Sequence, residues 1–499
     1  MGIYLNPKNK AFWESTRSKI YVDKTNLIAR TNEFINTREK YVCVSRPRRF
    51  GKSMTIEMLA AYYSRGCDSA DLFKGYEIEE NESFPEHLNK YDVIFLNMQQ
   101  FLIRAKDREV TEYLEQVVLA DIRKEYGNLF PERETSLAAA LEQIYAETEK
   151  SFIFLIDEWD CVMRERQETE ERQRQYLDFL RNLLKDQPYV ALAYMTGILP
   201  VKKYGVHSAL NMFAEYSMTD QSIFEEYTGF TETEVKGLCE RFDMDFFQTK
   251  NWYDGYELTG YKHVYNPKSV VEAMRRHRFS NYWTSTETYE ALKIYMDMDF
   301  DGLKEAVVLM LGGEAVQVNT RSFQNDMRTF KTKDDVLTLL IHLGYLGYDA
   351  REKKVFIPNK EIVEEFENAM SVGGWAEVMR ILKASEKLLE DTLNGDEKAV
   401  ARALDNAHSE VASILTNNDE NSLGCAIGLA YYSARKEYRI IREMPAGKGF
   451  ADIVFLPLPY TNKPALVVEL KYNKTADAAI EQIKDSKSKP HSCVISELC

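Results

Sequence analysis

Four apolar runs with almost no polar interruption punctuate the first two hundred residues, at 41–44, 93–96, 151–156 and 189–195. Helix-period segments separate them. Met54, Met58, Ala61 and Tyr62 recur at i, i+4, i+7 and i+8 and share one predicted helix face; similar patterns run over 108–125, 136–148 and the charged stretch 166–186. Strands that are apolar throughout are buried on both faces, and their alternation with helices predicts a parallel sheet covered on both sides. From about 215 the pattern turns helical, with Thr231 and Glu234 spaced as a capping box. Residues 251–256 and 264–269 are aromatic and turn-rich and read first as core. A mostly helical stretch, 285–395, is broken by Gly312-Gly313 and Gly373-Gly374 and holds one short strand pair near 348–358. In the last hundred residues, Leu423, Ile427, Ala430, Tyr431 and Ala434 predict an amphipathic helix, followed by two strands at 449–456 and 464–471. The expected organisation is an α/β domain over 1–215, a helical or winged-helix-like lid over 216–300, a helical connector over 301–400 and a small α/β domain over 401–499.

A length of 499 residues suits several domains, and 44% hydrophobic content is enough for sizeable cores. No apolar run approaches the roughly 20 residues a membrane helix needs, and the first residues lack a signal-peptide layout; the expectation is a cytoplasmic protein without membrane contact. The seven cysteines are scattered without a C-x-x-C pair, which argues against a disulfide framework or zinc ribbon, and there is no H-E-x-x-H. Any metal is therefore expected on oxygen ligands, as Mg²⁺ or Mn²⁺. The net charge of -15 disfavours indiscriminate nucleic-acid binding, but it is uneven: residues 421–499 carry 11 Lys/Arg against 8 Asp/Glu.

The first candidate chemistry lies at Ser45-Arg-Pro-Arg-Arg-Phe-Gly-Lys-Ser-Met54, between the first apolar run and the first helix. Strand, turn, Gly-Lys-Ser and helix are the context of a phosphate-binding loop, where unpaired N–H groups opening the helix hold phosphate oxygens. Arg48, Arg49, Phe50, Gly51, Lys52, Ser53 and Met54 are the predicted nucleotide contacts, with Lys52 on the β/γ-phosphates and the Ser53 hydroxyl on Mg²⁺. Arg46 occupies the position of the pattern's first Gly. The run 151–156 ends at Asp157-Glu158, an Asp placed to complete the Mg²⁺ shell and a Glu placed to orient or deprotonate the attacking water. Thr196, at the end of another strand, is a candidate γ-phosphate sensor; Lys202, Lys203 and Arg164 are candidate phosphate or finger cations, and Asp23 and Lys24 read as surface charge or contacts to the site.

A second constellation occupies the C-terminal strands. Side chains alternate along a strand, so Glu469 and Lys471 face the same way, and Asp452 on the neighbouring strand can share a divalent cation with Glu469. Such a metal activates a water for phosphodiester attack, with Lys471 positioning it and Glu420 assisting from the preceding helix.

Taken together these motifs resemble a bacterial AAA-ATPase-like family with a C-terminal domain of the PD-(D/E)xK nuclease superfamily. The resemblance rests on the loop at 45–53, on Asp157-Glu-Trp-Asp160 against the family's D-E-Y-D, on Trp252-Tyr-Asp-Gly-Tyr256, on Tyr265-Asn-Pro267, and on Asp452 with Glu469-Leu-Lys471. It implies ATP and Mg²⁺ as cofactors, Arg46 as a family habit, Glu158, Asp452, Glu469 and Lys471 as catalytic groups, and Ser53, Asp157, Glu420, Asp452 and Glu469 as metal ligands. The pattern departs after Lys471: the helix at 479–484 is followed almost at once by a Ser/Lys tract, without the family's tyrosine and further core strand. An ATP-hydrolysing P-loop protein coupled to a Mg²⁺-dependent nuclease acting on DNA or RNA is the resulting expectation, homo-oligomeric assembly being compatible with it. The alternative is a nucleotide-switched binding or scaffold protein whose nuclease-like domain is inactive.

Overall fold

The computed structural model describes residues 2–470 apart from 107, 165–168, 202–209, 221–222, 258–262, 284–288, 299, 301, 325–329, 372–373, 413, 416–419, 447–448 and 459–460. The chain divides into two compact units, one of Met1–Trp283 with Gln317–Glu361, the other of Thr284–Val316 with the chain from Ile362 onward.

The first unit is built on a five-stranded parallel sheet: β1 (Tyr41–Ser45), β2 (Asp92–Asn97), β3 (Phe152–Asp157), β4 (Val190–Gly197) and β5 (Ala214–Tyr216), in the spatial order β2-β3-β4-β1-β5. All four apolar runs are strands, and β1, β3 and β4 are buried at every residue, as an α/β sheet covered on both faces requires. Helices Val110–Tyr126, Leu137–Thr148 and Glu170–Leu184 match the predicted periodic segments and pack with β3 and β4 into one core; helix Lys52–Tyr63 anchors the core on the opposite face. That helix has no single apolar face. Met58, Ala61 and Tyr62 are buried as predicted, together with Ile56, Leu59 and Tyr63 around the cylinder, whereas Met54 is 43% exposed. The order of the strands decides what the sheet can do. β4 inserts between β1 and β3, so the carboxyl ends of three central strands converge: Ser45 pairs with Gly197, and Ile156 with Met195.

Beyond the sheet, Thr231 and Glu234 form the predicted capping box, and Asn266 caps helix Pro267–Arg276 through Lys268 N and Ser269 N at 2.9 and 3.2 Å. Gly347–Asp349 and Lys354–Phe356 make the predicted antiparallel pair. In the second unit, helices Ala376–Asn394, Glu397–Ala412 and Glu420–Ala430 pack on one another, and Tyr438–Ala446, Gly449–Pro457 and Leu466–Val468 form an antiparallel sheet in that order. Its first strand was not apparent from alternation. The helix predicted to run to Ala434 ends at Ala430 and continues as a 3-10 turn, Tyr432–Lys436. Among the described residues no helix is long and apolar enough to cross a membrane.

Candidate active site: a P-loop cavity

The loop leaving β1 turns through two left-handed residues, Arg49 (φ +69°) and Gly51 (φ +89°), before helix Lys52–Tyr63 begins. At Gly51 a side chain would be strained by the backbone alone, which is why Gly stands there. Lys52 is 4% exposed, and its ammonium donates to the carbonyls of Arg46 and Pro47, both at 2.9 Å. Burial lowers its pKa, against the opposing pull of Glu158 and Asp157. Ser53 Oγ donates to Asp157 Oδ2 at 2.8 Å, Thr196 Oγ1 to Asp157 Oδ1 at 2.6 Å, and Asn97 Nδ2 to Asp157 Oδ2 at 3.3 Å. Four elements thus meet on one buried carboxylate. Thr196, placed by sequence as a phosphate sensor, is 1% exposed with its hydroxyl spent on Asp157. Glu158 turns away from the strand at φ +55° and faces the same space as Lys52; burial raises its pKa, while Lys52 and Arg164 oppose the rise.

That space is a cavity of about 730 Å³. Its floor is 48–55 of the loop with Glu158, so Arg48, Arg49, Phe50, Gly51, Lys52, Ser53 and Met54 all line it. Apolar side chains Phe12, Ile20, Tyr21, Val22, Met58 and Tyr227 also line it, as do Pro267, Lys268, Val271 and Arg275 of one helix. Lys24 also lines it and pairs with Glu234 at 2.6 Å. Lys268 and Arg275 were not singled out from sequence. Their spacing of seven along helix Pro267–Arg276 puts them on one face, a signal visible only once that face is known to border the cavity.

Three sequence features take their roles from tertiary partners. Arg46, at the first-Gly position, does not reach for phosphate: it is 1% exposed, with Nε donating to Thr228 Oγ1 at 2.9 Å and Nη1 to the carbonyls of Ser45 and Tyr216 at 3.0 and 2.9 Å. Arg164, a candidate finger cation by sequence, has a side chain 8% exposed and bound to Glu158 and to Asp160 Oδ2 at 3.0 Å. The aromatic motif 252–256 is a brace for the loop. Tyr256 stacks edge-on against Phe50 at 5.2 Å and donates to Gly344 O at 2.7 Å, Asp254 pairs with His263 at 2.8 Å, and Gly255 (φ +109°) lies so close to Pro358 that a Cβ would stand 2.1 Å from its carbonyl oxygen.

In the second unit, Ile453 pairs with Val468 at the end of the antiparallel ladder, and Leu470 N donates to Asp452 Oδ2 at 2.6 Å. Lys471, Lys202, Lys203 and the side chain of Glu420 lie outside the described residues. Among the described residues no group of three or more His, Cys, Asp or Glu side chains is arranged to hold a metal.

An uncharacterized protein of the vnfD 5' region of Azotobacter chroococcum mcd 1 is 28% identical over 281 residues, 54% of this chain and 51% of the relative, so the chain spans about half of that protein's length. A Walker-type ATPase of Pyrococcus abyssi is a loose structural neighbour, with a TM-score of 0.35 and 11% identity over 70% of this chain and 97% of its own; at that score the likeness carries nothing about function. Residues 14–207, which hold Lys52, Ser53, Asp157, Glu158 and Thr196, match the model of the AAA-ATPase-like family, described as predicted AAA-ATPase.

Proposed function

We propose that the cavity binds ATP with Mg²⁺ and hydrolyses its γ-phosphate. The observation that carries this reading is the junction of Ser53, Thr196 and Asp157 beside a buried Lys52, with Glu158 facing the same cavity. A hydroxyl and a carboxylate at 2.8 Å are the hard oxygen donors Mg²⁺ takes, and Mg²⁺ bound there would neutralise charge on the β- and γ-phosphates. Lys52 exchanges the Arg46 and Pro47 carbonyls for phosphate oxygens, a substitution of strong acceptors for weaker ones. Glu158 accepts the proton of, or orients, the attacking water. The apolar lining side chains offer a surface for the base, and Lys268 and Arg275, which line the same cavity, are cations available to the phosphates. Isothermal titration with ATP and Mg²⁺ tests the binding half: the wild type should bind in the micromolar range and Lys52→Ala at least tenfold more weakly. Equal affinity in both would remove the cavity from the account.

A Mg²⁺-dependent nuclease in the second unit is a further reading, favoured by the bond from Leu470 N to Asp452, which brings the chain just past Glu469 against that carboxylate. Cleavage of labelled DNA and RNA with Mg²⁺ or Mn²⁺ by the wild type, lost in Asp452→Ala, would support it. No cleavage of any substrate by the wild type would leave the alternative, a nucleotide-switched scaffold carrying a nuclease-like unit.

A further inference from the structure

We infer that Arg164 is a positioning residue for Glu158, holding its carboxylate toward the cavity and off Lys52. The inference rests on the ATPase reading of the cavity. Arg164 spans two carboxylates, with Nη2 on Glu158 Oε2 and Nε on Asp160 Oδ2 at 3.0 Å. Asp160 is fully buried, and the same oxygen accepts Ile198 N at 3.1 Å and Leu199 N at 2.8 Å just past β4. The guanidinium is therefore fixed through Asp160 to the end of the strand that also supplies Thr196. The turn carrying Glu158 is fixed independently: Trp159 N donates to Thr196 O at 3.0 Å, and Tyr176 OH to Trp159 O at 2.7 Å.

The arrangement resolves a conflict built into the site. Lys52 and Glu158 face one buried space with opposite charges, and an unrestrained Glu158 would swing onto the ammonium, occupying both the phosphate ligand and the base. A guanidinium fork gripping Oε2 holds the carboxylate in place and leaves Oε1 for a water. Arg164 itself does not line the cavity, and its guanidinium is taken up by Glu158 and Asp160.

Steady-state MgATP hydrolysis, nucleotide affinity and thermal unfolding of Arg164→Gln, Arg164→Lys, Glu158→Gln and the double variant Glu158→Gln/Arg164→Gln test this. Arg164→Gln should lower kcat tenfold to a hundredfold while KM and nucleotide affinity move less than twofold, and Arg164→Lys should recover most of the loss. In the Glu158→Gln background, Arg164→Gln should cause no further fall in kcat, because the group it positions is already gone. Unchanged or raised kcat in Arg164→Gln, or a further loss in the double variant equal to that in the wild-type background, would overturn the inference while leaving the ATPase reading intact. Should Arg164→Gln fail to fold, Arg164→Met, which keeps the aliphatic stem without the charge, decides: it must lower kcat with affinity retained, and wild-type kcat overturns the role. A wild type that binds no nucleotide and releases no phosphate overturns both.

Discussion

Arg46→Gly restores the glycine that the common phosphate-loop pattern places at this position, and the structure predicts that it damages the protein. Arg46 is 1% exposed and makes three hydrogen bonds, to Thr228 Oγ1, Ser45 O and Tyr216 O. Bonds from a charged donor contribute about 1.5–3 kcal/mol each. Burial offsets part of this: it pushes the guanidinium pKa down to about 10 from 12.5, which at about 1.4 kcal/mol per unit is roughly 3 kcal/mol. Glycine adds about 1 kcal/mol of lost backbone restriction. The balance is a loss of about 2–7 kcal/mol, felt where the loop meets the segments at 216 and 228. Equilibrium urea unfolding read by tryptophan fluorescence suits the measurement, since four of the five tryptophans, Trp13, Trp159, Trp252 and Trp283, belong to the first unit. The expected result is a lower midpoint with an unchanged slope, and no gain in ATP affinity. A variant within about 0.5 kcal/mol of the wild type, or one that binds ATP more tightly, would refute the reasoning.

Other outcomes follow from the same geometry. Gly255→Ala forces a Cβ to within 2.1 Å of Pro358 O at φ +109°, and should cost about 2–4 kcal/mol in thermal or urea unfolding; a loss below about 1 kcal/mol would show that the brace yields. Ser53→Ala removes the hydroxyl paired with Asp157 and should raise the Mg²⁺ concentration needed for half-maximal hydrolysis severalfold, with kcat down on the order of a hundredfold; an unchanged Mg²⁺ dependence would exclude Ser53 as a ligand. His342 is fully buried, and desolvation, then the charge of Arg46, lowers its pKa to about 3. The unfolded chain binds this proton near 6.5 and the native one near 3, so its contribution to stability is full above about pH 6.5 and falls as pH drops through that window, at up to about 1.4 kcal/mol per pH unit. His342→Gln should flatten the decline measured by urea midpoints between pH 6.5 and 4.5; the same slope in both proteins would contradict it.

What was legible in the chain is the part written in local pattern. Runs such as 151–156 can only be buried strands, and Gly51-Lys52-Ser53 and Asp157-Glu158 stand at strand ends where parallel sheets put their chemistry. Thr231 and Glu234 announced their own cap. Roles set by tertiary partners were not legible. Arg46, Arg48, Arg49 and Arg164 are one residue type in sequence, yet one is a buried strut, two line the cavity and one grips Glu158. Lys268 and Arg275 line the cavity only because helix Pro267–Arg276 borders it together with the loop, more than two hundred positions away in sequence. Residues 317–361 return to the first unit, and nothing in their composition marks them as neighbours of Pro47. Strand Tyr438–Ala446 escaped because Arg439, Arg442 and Glu443 blur its alternation.

Phosphate release from ATP by the intact chain, with and without Mg²⁺, in the wild type beside Lys52→Ala and Asp157→Asn, tests the central claim most directly. The account predicts Mg²⁺-dependent turnover by the wild type and a fall on the order of a hundredfold or more in each variant, all three remaining folded. Turnover that is equal in all three, or absent from a folded wild type with ATP and Mg²⁺ supplied, would contradict it.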